Sequence, residues 1–434
     1  MPRIDAAQKI AWSVLLVVAA GCGGNESQFP PNRVYLKKQE LAAQIELTER
    51  QRHDIEETLQ YLFGTADEPQ VPRLDGVELS QVLQLDKLQA AAGPVSSDQA
   101  GRHYGLYRKH CAHCHGLSGD GAGPSAVFLD PYPRDFRRGI FKYKATPGGL
   151  APPTDDDLIQ AIRNGNPGSA MPSFALLTDD EIESLVCYVK YLAIRGEVER
   201  ALIFEAIDQL EDEYDRLIDL SLRKRDEEKF EAQIRPILAL VRGVVQRWHD
   251  APGEVTPVPP PPANWDSPEA IRRGRDLFAG KVANCAKCHG LTGRGDGENV
   301  DYDDWAREIV DPQNPAAVKP YLARGALAPR LARPRNLAHG LYRGGSRPED
   351  LYRRIVNGIA GTPMPAIPLR PADAKPEDQR LTPADVWHVV VYVLWLAETP
   401  EVAVDQQPTS SAGSTASYSG RRCYGLYWPG MGNG

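Results

Sequence analysis

Cys111-Ala-His-Cys114-His115 and Cys285-Ala-Lys-Cys288-His289 repeat one pattern, Cys-x-x-Cys-His, and each copy reads as a covalent attachment site for c-type haem. Two thiols one turn apart can add to the two vinyl groups on one edge of the macrocycle, while the adjacent imidazole rises beneath the iron. Both motifs are followed by glycine, Gly116 and Gly290.

A bare Cys-x-x-Cys also occurs as a thioredoxin-like redox pair or as half of a zinc site. A zinc site needs two further Cys or His at matching spacing. The remaining cysteines, Cys22, Cys187 and Cys423, stand singly, and two independent copies of the full motif weigh against coincidence.

What a haem does depends on its second axial ligand. The chain has four methionines. One is the initiator and Met431 lies in a Gly-rich tail, which leaves Met171 and Met364. Each stands in a Gly-x-x-Gly-x-x-Met-Pro frame downstream of a haem motif: Gly165, Gly168, Met171, Pro172 and Gly358, Gly361, Met364, Pro365. A thioether is a soft, neutral ligand that favours Fe(II), so Met/His ligation raises the reduction potential and fills the sixth position. Iron closed on both sides passes electrons rather than binding substrate. The competing role for either methionine is flexible core filler; the repetition of the frame in loop-like Gly/Pro sequence favours ligation.

The repeat extends beyond these residues. Asp157-Leu-Ile-Gln-Ala-Ile-Arg-Asn-Gly165 runs to Met171 with the same spacing as Asp350-Leu-Tyr-Arg-Arg-Ile-Val-Asn-Gly358 to Met364. Thr178 and Thr382 are predicted N-caps, each with an acidic residue three positions on. They open helices patterned on Leu185, Val186, Val189, Leu192 and on Val389, Val390, Val393, Leu396. Pro133-Arg134-Asp135-Phe136 parallels Pro334-Arg335-Asn336-Leu337, and a short helical stretch before each motif carries an aromatic residue, Tyr107 or Phe278. Repetition on this scale means two copies of one domain.

On these residues both halves resemble class I c-type cytochromes, over 95–197 and 264–400. The resemblance implies an all-α fold in which crossing N- and C-terminal helices wrap one haem per domain. It implies that Cys111 and Cys114 hold the first haem with His115 proximal and Met171 distal, and that Cys285 and Cys288 hold the second with His289 proximal and Met364 distal. It further implies that a backbone carbonyl near Pro133 or Pro334 accepts the proximal imidazole N–H and fixes the ring, without saying which one. The second domain departs from the pattern by an insertion between Gly297 and Pro329, including Trp305 and Tyr321, for which a surface elaboration is the simplest reading and a docking surface or lid the alternatives.

The rest of the chain frames these domains. Arg3 and Lys9, an apolar run from Ile10 to Ala20 too short to span a bilayer, and Ala19-Ala20-Gly21-Cys22 form an export signal over 1–22. Its end resembles a bacterial lipoprotein box with Cys22 as the lipidated residue; an ordinary cleaved signal is the alternative. A polar, Pro-bearing tether then leads, within 23–94, into helix at 34–63 with Leu41, Ile45, Ile55, Leu59 and Leu62 in loose register, expected to pack within the chain. Residues 198–263 read as a helical hairpin closed by the stiff Pro257–Pro262 stretch. One stripe is Ile203, Ile207, Leu210, Tyr214 and Leu217; the other is Ile234, Ile237, Leu238, Val241, Val244, Val245 and Trp248. The charged run Arg223 to Glu228 is placed at the turn. The hairpin either spaces the haem domains or binds a membrane partner.

The tail, 401–434, is rich in Ser, Gly and Gln and reads as disordered, with an aromatic cluster of Tyr418, Tyr424, Tyr427 and Trp428 beside Arg421, Arg422 and Cys423. Cys187 aligns with Val391 and reads as a small buried hydrophobe. His388 aligns with Ser184, which suggests a surface position. His103, His110, His113, His339 and His388 are ligand candidates only in principle.

With 434 residues and a net charge of −8, and with no basic aromatic patch, nothing points to nucleic acid. The leading function is a dihaem electron carrier, or electron-transfer subunit of a respiratory complex, lipid-anchored on the periplasmic side of a bacterial membrane and exchanging electrons with redox partner proteins. It has no catalytic residues. A haem enzyme of the dihaem peroxidase or oxidase type needs a displaceable sixth ligand, which two methionine frames oppose. An assembly or sensor subunit has only the hairpin in its favour.

Overall fold

The computed structural model describes residues 27–74, 79–210, 215–308, 311–371, 373–375 and 378–399. The export signal, Cys22, the aromatic tail and Tyr214 lie outside these residues. The described chain is helical, with two short antiparallel ladders, Ser96–Ser97 on His103–Tyr104 and Asp301–Tyr302 on Leu331–Ala332. Among the described residues no helix is long and apolar enough to cross a membrane.

An N-terminal segment supplies α1 (Arg33–Ala43), α2 (Glu49–Phe63) and α3 (Leu85–Ala91). The first repeat follows with α4 (Leu106–His110), α5 (Ala112–His115), α6 (Asp155–Asn164) and α7 (Asp179–Gln209). A single turn, α8 (Leu222–Arg225), precedes α9 (Glu227–Asp250). The second repeat is α10 (Pro268–Ala279), α11 (Ala286–His289), α12 (Asp304–Arg307), α13 (Pro315–Leu322), α14 (Pro348–Asn357) and α15 (Pro383–Glu398).

The predicted caps form. Thr178 and Thr382 each accept from the amide three residues on, and Glu181 and Asp385 reach back to the cap amide. Between those caps and the next turn the sequence boundary at 197 disappears: α7 is one helix of 31 residues that serves both as the last helix of the first domain and as the first arm of the hairpin. Gly196 does not interrupt it. A Cβ there would stand 2.3 Å from the Cα of Arg137, so this glycine admits a neighbouring backbone to the helix face.

The apolar stripes explain how the segment packs. Ile203 and Ile207 on α7 and Ile234, Ile237, Val241, Val244, Val245 and Trp248 on α9 are buried in one core with Ile55, Leu59, Leu62 and Phe63 of α2. Each such side chain removed from water contributes roughly 1.5–3 kcal/mol, so the N-terminal segment is held by this chain's own core. Leu41 and Ile45 do not share it and stay exposed. Cys187 is buried, as expected, with its thiol at the backbone of Gln84.

The second domain has its own core around Phe278, Tyr352, Trp387, Val390 and Leu396, where α10 crosses α15. Here the sequence reading of His388 fails. Ser184 is buried, and His388 is half-buried at the crossing, its carbonyl 1.9 Å from where a Cβ on Gly274 would lie. The Pro-rich connection is pinned from both sides: the Thr256 amide donates to Ala145 and the Trp387 indole to Pro259. The insertion is likewise tied in. Tyr321 and Val318 pack on Val34 of α1, and Glu308 pairs with Arg138 and Arg200 of the first half.

Candidate cofactor sites

Each haem motif forms one helical turn whose backbone is continued by the loop behind it. In the first domain Gly121 donates to the His115 carbonyl, Gly123 to Cys114 and Ser125 to His113; in the second Gly295, Gly297 and Asn299 repeat these bonds to His289, Cys288 and Lys287. Ser125 and Asn299 thereby stand beside the second thiol of each pair, at 3.2 Å from Cys114 Sγ and 3.7 Å from Cys288 Sγ.

The imidazoles are oriented from behind. His115 Nδ1–H donates to the Arg134 carbonyl and His289 Nδ1–H to the Arg335 carbonyl, both at 3.1 Å. The acceptor in each domain is thus the residue after Pro133 or Pro334, a detail the sequence left open. With Nδ1 engaged, Nε2 is the nitrogen left for a metal. Burial holds the His115 imidazole down to about 4, against the pull of the Arg134 carbonyl, and lowers His289 as well, so both rings are neutral and able to ligate.

The first thiol of each motif lacks the activation of a redox dithiol. All four are free, and burial pushes Cys111 and Cys285 up to about 12, the reverse of the depressed value that activates such a pair. Among the described residues no cluster of three or more His, Cys, Asp or Glu side chains is arranged to hold a metal ion. Thiols outside any disulfide, a neutral imidazole with one nitrogen spare and a buried aromatic lining fit a haem c.

The methionine frames close in parallel. Asn166 donates to the Met171 carbonyl and Ile359 to that of Met364, both at 3.1 Å. The Met171 amide donates to the Ser169 hydroxyl and the Met364 amide to that of Thr362. Gly165 and Gly358 have φ +66°, and a Cβ on either would meet the backbone after its methionine at 2.5 Å. Both methionines are half-buried, and Met171 packs on the same core as Cys111.

Sequence reading missed the aromatic support of the first site. Phe136 stacks on His115 with ring centroids 4.5 Å apart, whereas Leu337 takes its place in the second domain. Tyr107, which it did single out, donates to the Gly116 carbonyl at 2.8 Å. The other histidines stay outside these frames: His103 pairs with Glu181, His113 and His339 are exposed, and His110 meets Phe174 edge-on.

Comparison with known proteins agrees with this geometry. Residues 98–189 match the family described as cytochrome c oxidase, cbb3-type, subunit III, and residues 271–397 match cytochrome c. No curated protein matches. A chain of the Kuenenia stuttgartiensis reducing HAO-like protein complex is 25% identical over 67% of this chain and 94% of its own, with a TM-score of 0.42, too low to establish a common overall fold. The two family matches, each falling on one haem motif and its methionine frame, place the chain among the c-type cytochromes, electron-transfer haem proteins, with two such domains in tandem.

Proposed function

We propose that the protein is an exported dihaem electron carrier, or electron-transfer subunit of a respiratory complex, anchored outside the cytoplasmic membrane by a lipid on Cys22. In this reading Cys111 and Cys114 bind one haem covalently and Cys285 and Cys288 the other. His115 and Met171 would hold the first iron, and His289 and Met364 the second. Haem iron ligated by imidazole and thioether supplies one-electron transfer at a raised potential.

The observation that carries the reading is the paired frame: the same backbone bonds hold His115 and His289 on one side and the Met171 and Met364 loops on the other. The chain's own task is to hold these ligands still. The carbonyls of Arg134 and Arg335 fix the imidazole planes, and the Ser169 and Thr362 hydroxyls fix the methionine amides, so little rearrangement accompanies a change of charge. A haem enzyme would need one of these loops to release its methionine.

Intact mass should show two covalent haems per chain, falling to one in Cys111→Ser/Cys114→Ser and one in Cys285→Ser/Cys288→Ser. A wild-type protein carrying one haem or none contradicts the reading. The reduced protein should bind no carbon monoxide at neutral pH; stoichiometric binding to one haem would favour the enzyme. Cys22→Ser should move the protein from the membrane to the soluble periplasmic fraction with both haems retained, because one acyl-bearing residue decides the partition. Retention in the membrane to the wild-type extent would rule out Cys22 as the anchor.

A further inference from the structure

The arginines whose carbonyls hold the proximal imidazoles send their side chains into the opposite domain. Arg335 Nη1 donates to the Gly168 carbonyl, in the Met171 loop, at 3.2 Å, joined there by Arg343 Nη2 at 3.0 Å. In the other direction the Arg134 guanidinium lies against the Met364 loop. A Cβ on Gly361 would stand 2.7 Å from Arg134 Nη1, and one on Gly168 2.3 Å from Arg335 Nη2. Gly168 and Gly361 are the second glycines of the two repeated frames, with φ +71° and +73°. Their lack of a side chain therefore serves two needs, a left-handed turn and the approach of an arginine from the partner domain.

These guanidinium groups are not fully used. Arg134 Nε and Nη2, Arg335 Nε and Arg343 Nε are shut off from solvent and make no hydrogen bond among the described residues. The surroundings are rich in positive charge: Lys142 is pushed down to about 7, first by burial and then by Arg134, with Arg343 adding to it and Asp303 and Asp304 offsetting only part. Buried donors without acceptors are costly, the more so when charged, so a boundary built this way calls for anions. The carboxylates at the rim of a haem are anions carried by the group that the frames fit.

Resting on the dihaem reading, we propose that Arg134 and Arg335 are crossed positioning residues: each steadies its own domain's proximal histidine, grips the other domain's methionine loop, and offers its spare guanidinium hydrogens to haem carboxylates where the two domains meet. Each haem is then tuned by an arginine from the other domain. A buried positive charge favours the reduced, less positive iron, so its removal lowers the potential of the haem its side chain reaches, the one across the boundary.

The test is a redox titration of purified holoprotein carrying Arg335→Met, Arg335→Lys, Arg134→Met or Arg134→Lys. The two haems are assigned by combining each variant with Met171→His or Met364→His. Arg335→Met should lower the potential of the haem in the first domain and weaken its thioether-to-ferric-iron absorption band; Arg134→Met should do the same to the second. Each lysine variant keeps the charge and should recover most of the potential shift. Local misfolding around Arg335 would disturb only the second domain, so a shift confined to the arginine's own haem overturns the inference while leaving the dihaem reading intact. A wild-type spectrum lacking two methionine-ligated haems would overturn both, and that spectrum is read before any variant is made.

Discussion

The two cytochrome domains share their ligand frames down to single backbone hydrogen bonds and differ in almost everything packed around them. In the first, His115 stacks on Phe136, Phe136 stacks on Phe141 with ring planes 10° apart, and Phe141 meets Trp248 of α9 edge-on. The proximal side of that site is thus joined by aromatic contacts to the hairpin. In the second, Leu337 replaces Phe136, and the nearest aromatic ring, Phe278, is tilted with its centroid 6.4 Å from His289. The helix leading into the motif has five residues in the first domain and 12 in the second, where it crosses α15 at Gly274. A redox site of this kind is therefore specified by glycines, carbonyls and loop hydroxyls close in sequence, and its stability is supplied by whatever packs outside.

That contrast breaks most sharply at the helix crossing. Gly274→Ala puts a methyl against the His388 backbone, which cannot swing away, and should cost the second domain about 3 kcal/mol or more. Thermal unfolding followed by haem absorbance and circular dichroism should then split, the second domain melting first. The control is Gly243→Ala on α9, where a Cβ meets nothing within 4 Å and better helix propensity should stabilise by about 0.5–1 kcal/mol. Equal melting temperatures for Gly274→Ala and wild type would show that the close crossing is not what holds the domain.

Exchanging the proximal neighbours sharpens the comparison. Phe136→Leu should remove about 1 kcal/mol from the first domain by ending two stacked contacts, measured by denaturant midpoint. Because the Arg134 carbonyl still holds His115, both haems should remain attached. Loss of the first haem in this variant would mean that the stacked ring, rather than the carbonyl, positions the ligand.

The smallest effect concerns acid. Burial raises the Glu181 and Asp385 carboxyls, but Glu181's bonds from His103 and Thr178, and Asp385's from Thr382 and Arg273, outweigh it and leave both below their ordinary values. A depressed carboxyl contributes stability that is complete above its unfolded value and is lost as pH falls through its folded one. Both caps should therefore hold at neutral pH and weaken as pH drops below about 4. Asp385→Asn should cost up to about 1 kcal/mol at pH 7 and flatten the acid limb of the second domain alone; an unchanged limb would remove this cap from the acid response.

Much of the site was legible because its parts are local. The haem motifs, the methionine frames and the capping threonines are marked by spacings of a few residues; the structure forms the predicted caps and closes the two motifs and the two frames in parallel by backbone hydrogen bonds. What escaped depends on distant neighbours. The boundary drawn at 197 dissolves because Gly196 lets Arg137 press against one unbroken helix, His388 looks exposed until Gly274 is brought to it, and the insertion looks like decoration until Tyr321 meets Val34. Leu41 and Ile45 carry the right period but find no facing core. Which carbonyl accepts from each imidazole depends on where a loop distant in sequence returns, and the crossing of the Arg134 and Arg335 side chains follows from how two domains meet, which no single repeat encodes.

The central claim is that each domain binds its haem between one histidine and one methionine. A redox titration of purified Met171→His and Met364→His tests it most directly. Attachment depends on the Cys-x-x-Cys-His motifs, so each variant should keep both haems, and exchanging thioether for imidazole should lower the potential of the variant domain's own haem while shifting the other only weakly. Two unshifted potentials accompanied by a lowered melting temperature, the signature of a polar ring forced into a packing position, would take Met171 and Met364 out of the coordination sphere and contradict the account.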